Sequence, residues 1–398
     1  MTTADAPPTG TCLACGSGQR THWCNATDVE YQSVADRYAY WRCLDCASLS
    51  IDPCPVQRLA EIYPPNYYSF TGSAPSLLER FKLAFDRRLL QSILRKFSGG
   101  TLAALDIGGG TGWMLNEARR VEPRLKTTVI VDIDAQAQDL AAAAGHRFVA
   151  SRIEDFSTDQ RFDLVLMLNL IEHVADPVAV LAAVGRLLTP QGRILLKTPN
   201  HASLDAQLFR QSYWGGLHCP RHWVIFTPAS LESAAGRAGL SVERLELTQG
   251  APFWCWSVLA GLARRGWITI TARRPMAQHP LAPLLMAVFA AFDFLRRPLL
   301  GRSGLATSQM FAVLSANKSG QGGPGADSPT QSDAAGTGRK RRQMALSRWE
   351  NEGGAVWHVI DGDMGSRDLP PEAPRRRPGL DSPSPGGSAG TLKCRLAQ

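Results

Sequence analysis

The chain has 398 residues, 44% hydrophobic and 20% charged, which excludes a wholly disordered polymer and leaves room for two ordinary domains or one with appendages. Its formal charge of +8 suits an anionic partner, whether membrane surface, nucleotide or nucleic acid, without choosing among them. Residues 1–10 carry no Lys, Arg or apolar run, and no apolar stretch reaches spanning length, so a cytoplasmic protein is expected.

After a flexible start at 1–10, residues 11–60 hold six of the nine cysteines. Cys12-Leu13-Ala14-Cys15 and Cys43-Leu44-Asp45-Cys46 are two Cys-x-x-Cys knuckles, tight turns that each aim two thiolates at one tetrahedral Zn2+. The 27 residues between them exceed the commoner ~15–20 and predict a longer hairpin. Four thiolates leave no open coordination position, so the zinc expected here is structural; the competing reading is a set of reduced thiols. His22, Cys24 and Cys54 are either spare ligands or ordinary buried residues. Residues 61–79 form a linker containing Tyr63-Pro64-Pro65-Asn66-Tyr67-Tyr68.

From residue 80 to 250, apolar strand-like runs alternate with helical patterns, the signature of a parallel sheet built from βα units. The runs are 101–107, 127–133, 162–168, 194–197, 241–247 and 310–315, and a helix is expected over 177–188. Thr189-Pro190-Gln191-Gly192 reads as the turn before the fifth strand.

The first strand runs into Asp106-Ile107-Gly108-Gly109-Gly110-Thr111-Gly112, where glycines let the backbone turn tightly and approach a ligand ahead of a helix start. The spacing departs from the Gly-x-Gly-x-x-Gly dinucleotide fingerprint. Asp132 ends the second strand, where a carboxylate can take both ribose hydroxyls of a nucleoside; helix capping is the competing role, and the stronger one for Asp134. Glu154 lies before the fourth strand in the loop position that faces a bound base. Asn169, Glu172 and His173 follow that strand at the carboxyl edge of the sheet, where such folds bind ligands.

These residues, in this order and spacing over about 100–250, resemble the class I S-adenosylmethionine-dependent methyltransferases, in particular the broad small-molecule group with an Asp-x-Gly-x-Gly-x-Gly turn and a Glu-His-Val segment. The resemblance implies a doubly wound, Rossmann-like α/β fold with a seven-stranded sheet over 80–318, preceded by a zinc-ribbon-like module. It implies that S-adenosylmethionine binds with Gly108, Gly110 and Gly112 along its methionine and ribose. Asp132 would hold the ribose, Glu154 face the adenine, and Asp106 hold the amino group; Asn169 lies at the same cofactor edge. Some relatives that methylate phenolic oxygens carry Glu at the position of Asn169 and use it with the Glu-His pair to hold a divalent metal. Asn is a poorer ligand for a hard cation, so no metal is expected there. Ribbons of the Cys12–Cys46 kind precede the methyltransferase domain in some sugar C-methyltransferases, which implies a sugar-containing or lipid-linked small-molecule acceptor.

Methyl transfer to oxygen or carbon requires loss of a proton to a base within hydrogen-bond reach. His173 at the sheet edge and His222 in the loop Tyr213-Trp214-Gly215-Gly216-Leu217-His218-Cys219-Pro220-Arg221-His222-Trp223 are the two candidates, against a purely structural role for both.

In this fold the last two strands normally form a plain hairpin. Here residues 251–305 intervene, an apolar helical insertion with seven arginines, a single acid (Asp293) and Trp254, Trp256 and Trp267. Two readings stay open: a segment lying on an anionic membrane surface, with Arg264–Arg265, Arg273–Arg274 and Arg296–Arg297 facing headgroups, or a helical subdomain packed on the sheet or a second copy. The first puts the protein on the inner face of a membrane. Residues 319–398, rich in Gly, Pro, Ser, Asp and Arg, read as a disordered tail. Two other functions compete: an RNA methyltransferase that grips RNA with the ribbon, and a non-catalytic zinc and nucleotide binding module. The Asn169-Leu170-Ile171-Glu172 stretch lacks an Asn/Asp-Pro-Pro-aromatic acceptor motif, and the module lacks a dense Lys/Arg stripe, so nucleic acid is not the expected partner.

Overall fold

The computed structural model describes residues 10–63, 87–210, 213–296 and 306–317. The tail at 319–398, the linker at 64–79, residues 1–9 and the arginines at 297 and 302 lie outside the described residues.

Strands β1 (Arg20–Thr27), β2 (Arg37–Cys43) and β3 (Leu49–Ile51) form an antiparallel meander in the N-terminal module. The β1–β2 hairpin fills the long gap between the cysteine knuckles, as the spacing requires. A short turn of helix, α1 (Leu59–Ile62), follows. The described part of the central domain begins with a helix over 87–94 (α2).

Its strands are β4 (Leu102–Ile107), β5 (Leu125–Asp132), β6 (Arg147–Ala150), β7 (Phe162–Leu168), β8 (Leu188–Pro199), β10 (Leu240–Thr248) and β11 (Gln309–Ala316). They lie in the order β10-β11-β8-β7-β4-β5-β6. The five strands from β4 to β8 run parallel, and β11 is antiparallel to both of its neighbours. Between β4 and β7 the direction of winding reverses, which opens the crevice where doubly wound sheets take ligands.

Successive strand residues point to opposite faces, and both faces are covered, so the central strands are apolar throughout. Leu105, Ile107, Val129, Val131, Val165, Met167, Ile194 and Leu196 pack on one side with α5 (Pro177–Arg186) and α7 (Pro228–Arg237). Ala104, Ile130, Leu164, Leu166 and Leu195 pack on the other, with α2 and α3 (Trp113–Val121). Local signals set the helix starts: Asp176 accepts the Ala179 N–H at 2.9 Å ahead of Pro177, and Thr227 forms a capping box with Ser230 ahead of Pro228. The remaining helices are α4 (Gln138–Ala143) and α6 (Leu204–Leu208).

Strand β8 includes residues 189–192, where a turn was expected, but its ladder with β7 is interrupted there: Leu188 pairs with Phe162 and Arg193 with Leu164, so residues 189–192 bulge out of the regular pairing. One expectation is corrected, that all three arginine pairs of the insertion face outward. The insertion between β10 and β11 folds as a helical hairpin, α8 (Ala251–Arg264) and α9 (Ala282–Arg296). Within it Arg296 does not face outward: it turns inward onto Asp293 at 2.8 Å, and Asp293 also accepts the Gly250 N–H at 2.7 Å at the start of α8. Among the described residues no helix is long and apolar enough to cross a membrane.

The module is tied to the central domain along one seam. The two-residue strand β9 (Val224–Ile225) continues the module sheet by pairing with β3, and Ile51 donates to the Trp223 carbonyl at 2.9 Å. The Tyr40 hydroxyl reaches the carbonyls of Leu217 and His222, and Arg237 on α7 donates to the Ala14 carbonyl inside the first knuckle at 3.0 Å.

Candidate active site

The glycine turn between β4 and α3 holds Gly108, Gly110 and Gly112 at φ of 74°, 52° and 78°, a left-handed backbone that glycine adopts without strain. A Cβ on Gly109 would fall 2.4 Å from the Asp106 carboxyl carbon, and one on Gly112 would strike His146 and Ile130. The turn therefore packs its side-chain neighbours on the protein side and presents bare backbone at the crevice.

Asp132, at the end of β5, is buried and accepts the Gly110 N–H through Oδ2 and the Asp134 N–H through Oδ1, each at 2.9 Å. Each carboxylate oxygen keeps a further lone pair, enough for two ribose hydroxyls. Burial raises the pKa of Asp106 to about 8, reinforced by the nearby Asp132 charge, and burial also raises that of Asp132. Two buried acids at one turn suit a cationic ligand, which would return both to their charged forms. The cradle, the carboxylate and this charge balance all fit S-adenosylmethionine, whose amino group and sulfonium are both positive. Asp134 is the capping residue, accepting the Gln136 N–H at 3.0 Å. Glu154 stands exposed on the surface and pairs with Arg152 at 2.7 Å. Asn169 has φ 53°, an uncommon conformation outside glycine, and its side-chain oxygen accepts from Gln309 on β11 at 2.8 Å.

Beyond Asn169, three imidazoles gather. The ring of His222 lies 4.7 Å from that of His173 and 5.0 Å from that of His218, with His173 and His218 6.3 Å apart. The His222 Nδ1–H donates to the Gly216 carbonyl at 2.8 Å, so its lone pair resides on Nε2, 4.0 Å from Glu172 Oε1. Burial lowers the pKa of His173 to about 3 and drives that of His222 well below its ordinary range; neighbouring histidines add to both effects. Glu172, fully buried, is raised by desolvation to about 8; the Thr198 hydroxyl donates to its Oε2 at 3.0 Å. One donor atom each from Glu172, His173 and His222 falls within 4.8 Å of the others. Tyr63 reaches the His173 Nδ1 at 2.9 Å, and the Arg221 carbonyl lies 3.0 Å from the same nitrogen.

The four knuckle cysteines also converge. Their sulfurs lie within 4.8 Å of one another, with Cys12–Cys46 and Cys15–Cys43 at 3.5 Å. Zn–S bonds of about 2.3 Å place sulfurs about 3.8 Å apart in a tetrahedron, so the set fits a structural Zn2+ with little adjustment. Gly16 and Ala47, at φ 82° and 61°, close the two knuckles. Cys24 and Cys54 stand outside the set as half-buried thiols, both pushed up to about 12 by desolvation.

Residues 79–245 match the family described as "Methyltransferase domain". The chain carries a class I S-adenosylmethionine-dependent methyltransferase domain. It is 28% identical over 216 residues to a ubiquinone biosynthesis O-methyltransferase of Cereibacter sphaeroides, covering 50% of this chain and 83% of that protein. It is 26% identical over 221 residues to a protein of the same name from Rhodopseudomonas palustris, covering 49% and 83%. A crystal structure of the plantazolicin methyltransferase BpumL aligns over 61% of this chain and 86% of that one, at 16% identity and a TM-score of 0.37.

The structure also brings to this cluster residues that the sequence did not single out. His218 binds Glu30 of the module, and Arg221 binds Asp28 of the same hairpin connection. A second histidine four residues before His222 was a visible signal for His218. Nothing local marked Asp28 or Glu30.

Proposed function

We propose that this methyltransferase moves a methyl group from S-adenosylmethionine to an oxygen or carbon of a sugar-containing or lipid-linked small molecule. The observation that carries the acceptor chemistry is the cluster of three imidazoles that His173, four residues beyond Asn169 at the carboxyl edge of the sheet, forms with His218 and His222. When bound, the cofactor supplies a methyl on a positively charged sulfur, so the chain's own work is alignment and proton removal. Gly108, Gly110, Gly112 and Asp132 hold the nucleoside and methionine parts. Asp106 balances the amino group's charge, and Glu154 lies toward the adenine.

His173 and His222, kept neutral by burial, belong to the cluster that takes the acceptor's proton. An acceptor held against this cluster needs little reorganisation, and alignment of this kind supplies roughly 7–11 kcal/mol. The likeness to ubiquinone biosynthesis O-methyltransferases favours oxygen over carbon.

The test is calorimetric titration of zinc-loaded protein with S-adenosylmethionine beside Asp132→Ala, followed by label transfer to glycolipid and sugar-nucleotide pools. Binding lost in the variant, and label in a small-molecule fraction, are the expected results. A folded protein that takes up no cofactor sinks the reading.

A second reading concerns where the acceptor is met. The outer face of α9 exposes Leu284, Val288, Phe292 and Leu295, and the α8–α9 connection exposes Trp267 beside Arg264, Arg265, Arg273 and Arg274. Residues 251–292 contain no acid. Apolar anchors flanked by cations that pair with no acid among the described residues suit an anionic bilayer surface, which would bring a lipid-linked acceptor to the site.

A further inference from the structure

Glu30 belongs to the cysteine module yet reaches into the histidine cluster. It lies in the β1–β2 connection, 3% exposed. Its Oε2 accepts the His218 Nδ1–H at 2.7 Å and its Oε1 accepts the Tyr213 hydroxyl proton at 2.8 Å. A carboxylate oxygen can only accept, so His218 carries its proton on Nδ1 and the neutral ring has its lone pair on Nε2. His218 sits at φ 38°, ψ 43°, a left-handed backbone that L side chains rarely adopt and that clusters at functional sites. The same hairpin connection supplies Asp28 to Arg221, whose guanidinium also covers the Tyr31 ring at 4.6 Å. Two acids of one module loop thus grip two residues of the loop that carries His218 and His222.

We propose that Glu30 is a positioning residue for methyl transfer: it fixes the His218 ring so that Nε2 takes the acceptor's proton, and its charge stabilises the imidazolium that forms. This rests on the acceptor-side reading above. As the acceptor atom bonds to the methyl carbon, the sulfonium carbon–sulfur bond breaks with its electron pair left on sulfur. The acceptor's proton passes to His218 Nε2 and then to water. A buried carboxylate that sets the tautomer and orientation of an imidazole base is an effective device in enzymes of unrelated fold. The cysteine module is then part of the active site.

The experiment compares the zinc-loaded full chain with Glu30→Gln, Glu30→Asp, His218→Ala and the Glu30→Gln/His218→Ala double form. Three quantities are read: methyl label passed from S-adenosylmethionine to a glycolipid and sugar-nucleotide extract, cofactor binding by calorimetry, and imidazole tautomers by nitrogen NMR. Glu30→Gln should lower the maximal transfer rate about 100-fold or more while cofactor affinity and the half-saturating extract concentration hold. Glu30→Asp, which keeps the charge, should recover part of the rate, and the double form should be no slower than His218→Ala alone. A wild-type rate in Glu30→Gln, or effects that multiply in the double form, would overturn the proposal. If the wild type binds cofactor but labels nothing, the acceptor-side reading has failed, and the nitrogen spectra still decide the role of Glu30. Loss of the His218 Nδ1–H tautomer in Glu30→Gln then upholds the positioning, and an unchanged tautomer overturns it.

Discussion

Arg221 and Asp28 form an ion pair at 2.8 Å in which both side chains are fully buried, and it joins the aromatic loop after β8 to the N-terminal module. The Arg221 guanidinium also donates to the Ser33 hydroxyl at 3.0 Å, while Asp28 accepts the Tyr31 and Ser33 backbone N–H groups. These bonds let Asp28 stay below the usual carboxylate range although burial opposes its charge. Removing one partner strands the other as a buried charge, which costs about 3–5 kcal/mol. Asp28→Ala should therefore lower the denaturation midpoint strongly. A paired replacement of Asp28 and Arg221 by apolar residues of similar size should recover most of that loss. Equal losses in the single and paired variants would show that the pair's charge balance is not what holds the loop.

How much of this was legible in the sequence depended on how local the cause was. The turn from Asp106 to Gly112 and the carboxylate at Asp132 were readable because backbone conformation and strand position demand those residue types. The knuckles at Cys12–Cys15 and Cys43–Cys46 were readable from spacing alone. The Glu30–His218 and Asp28–Arg221 contacts join residues 188 and 193 positions apart, and no periodicity couples them. β9, two residues long, exists only because β3 offers an edge. The inward turn of Arg296 is different: Asp293, the single acid of the insertion, stands three positions before it, a helical spacing that announces the pair.

Glu172 gives the fold a pH dependence of known sign. Its pKa is about 8 in the folded chain against 4.5 for an ordinary glutamate. Below pH 4.5 both states hold the proton and the full contribution is present. As pH rises from there toward 8, the unfolded chain ionises while the folded chain does not, and stability falls by up to about 1.4 kcal/mol per pH unit for this group. Glu172→Gln removes the titration while keeping an amide for the Thr198 hydroxyl. The melting temperature of the variant relative to wild type should rise steadily between about pH 5 and about pH 8. A difference that stays constant over that range would mean that Glu172 is ionised in the folded chain.

Zinc removal should affect more than the module. The first knuckle is held to α7 through Arg237 and Ala14, and the second through Thr227 and the Cys46 carbonyl at 3.4 Å. Loss of the ion would free β3 from β9 and with it the connection that carries Asp28 and Glu30. Structural zinc contributes directly to folding free energy, and ligand thiolates compete with protons for it. Metal analysis should find one zinc per chain, with Cys12→Ser depleted. Chelation should lower both melting temperature and methyl transfer while cofactor binding at the glycine turn persists. A metal-free chain that melts where the loaded one does would remove zinc from this account.

The helical hairpin formed by α8 and α9 divides its residues by role, and the division defines the membrane test. Trp254, Trp256, Cys255 and Leu259 of α8 are buried, and Trp254 stacks on Phe289 of α9 with centroids 5.0 Å apart. The outer face of α9 stays apolar without such a partner in the described chain: Leu284 is 62% and Leu295 74% exposed, and Trp267 in the connection is 71% exposed. Arg264, Arg265, Arg273 and Arg274 are exposed beside it, each charge worth ~1 kcal/mol near an anionic surface. Replacing these four by Gln should weaken sedimentation with phosphatidylserine-containing vesicles, and more at low than at high salt, because at high salt screening already removes much of the attraction. Leu284→Ser with Leu295→Ser should reduce binding at every salt concentration, since it removes the apolar anchor rather than the field. Vesicle binding untouched by either set would leave the face to a protein contact, and a change in oligomeric state of the serine variant would then identify that contact as a second copy of the chain.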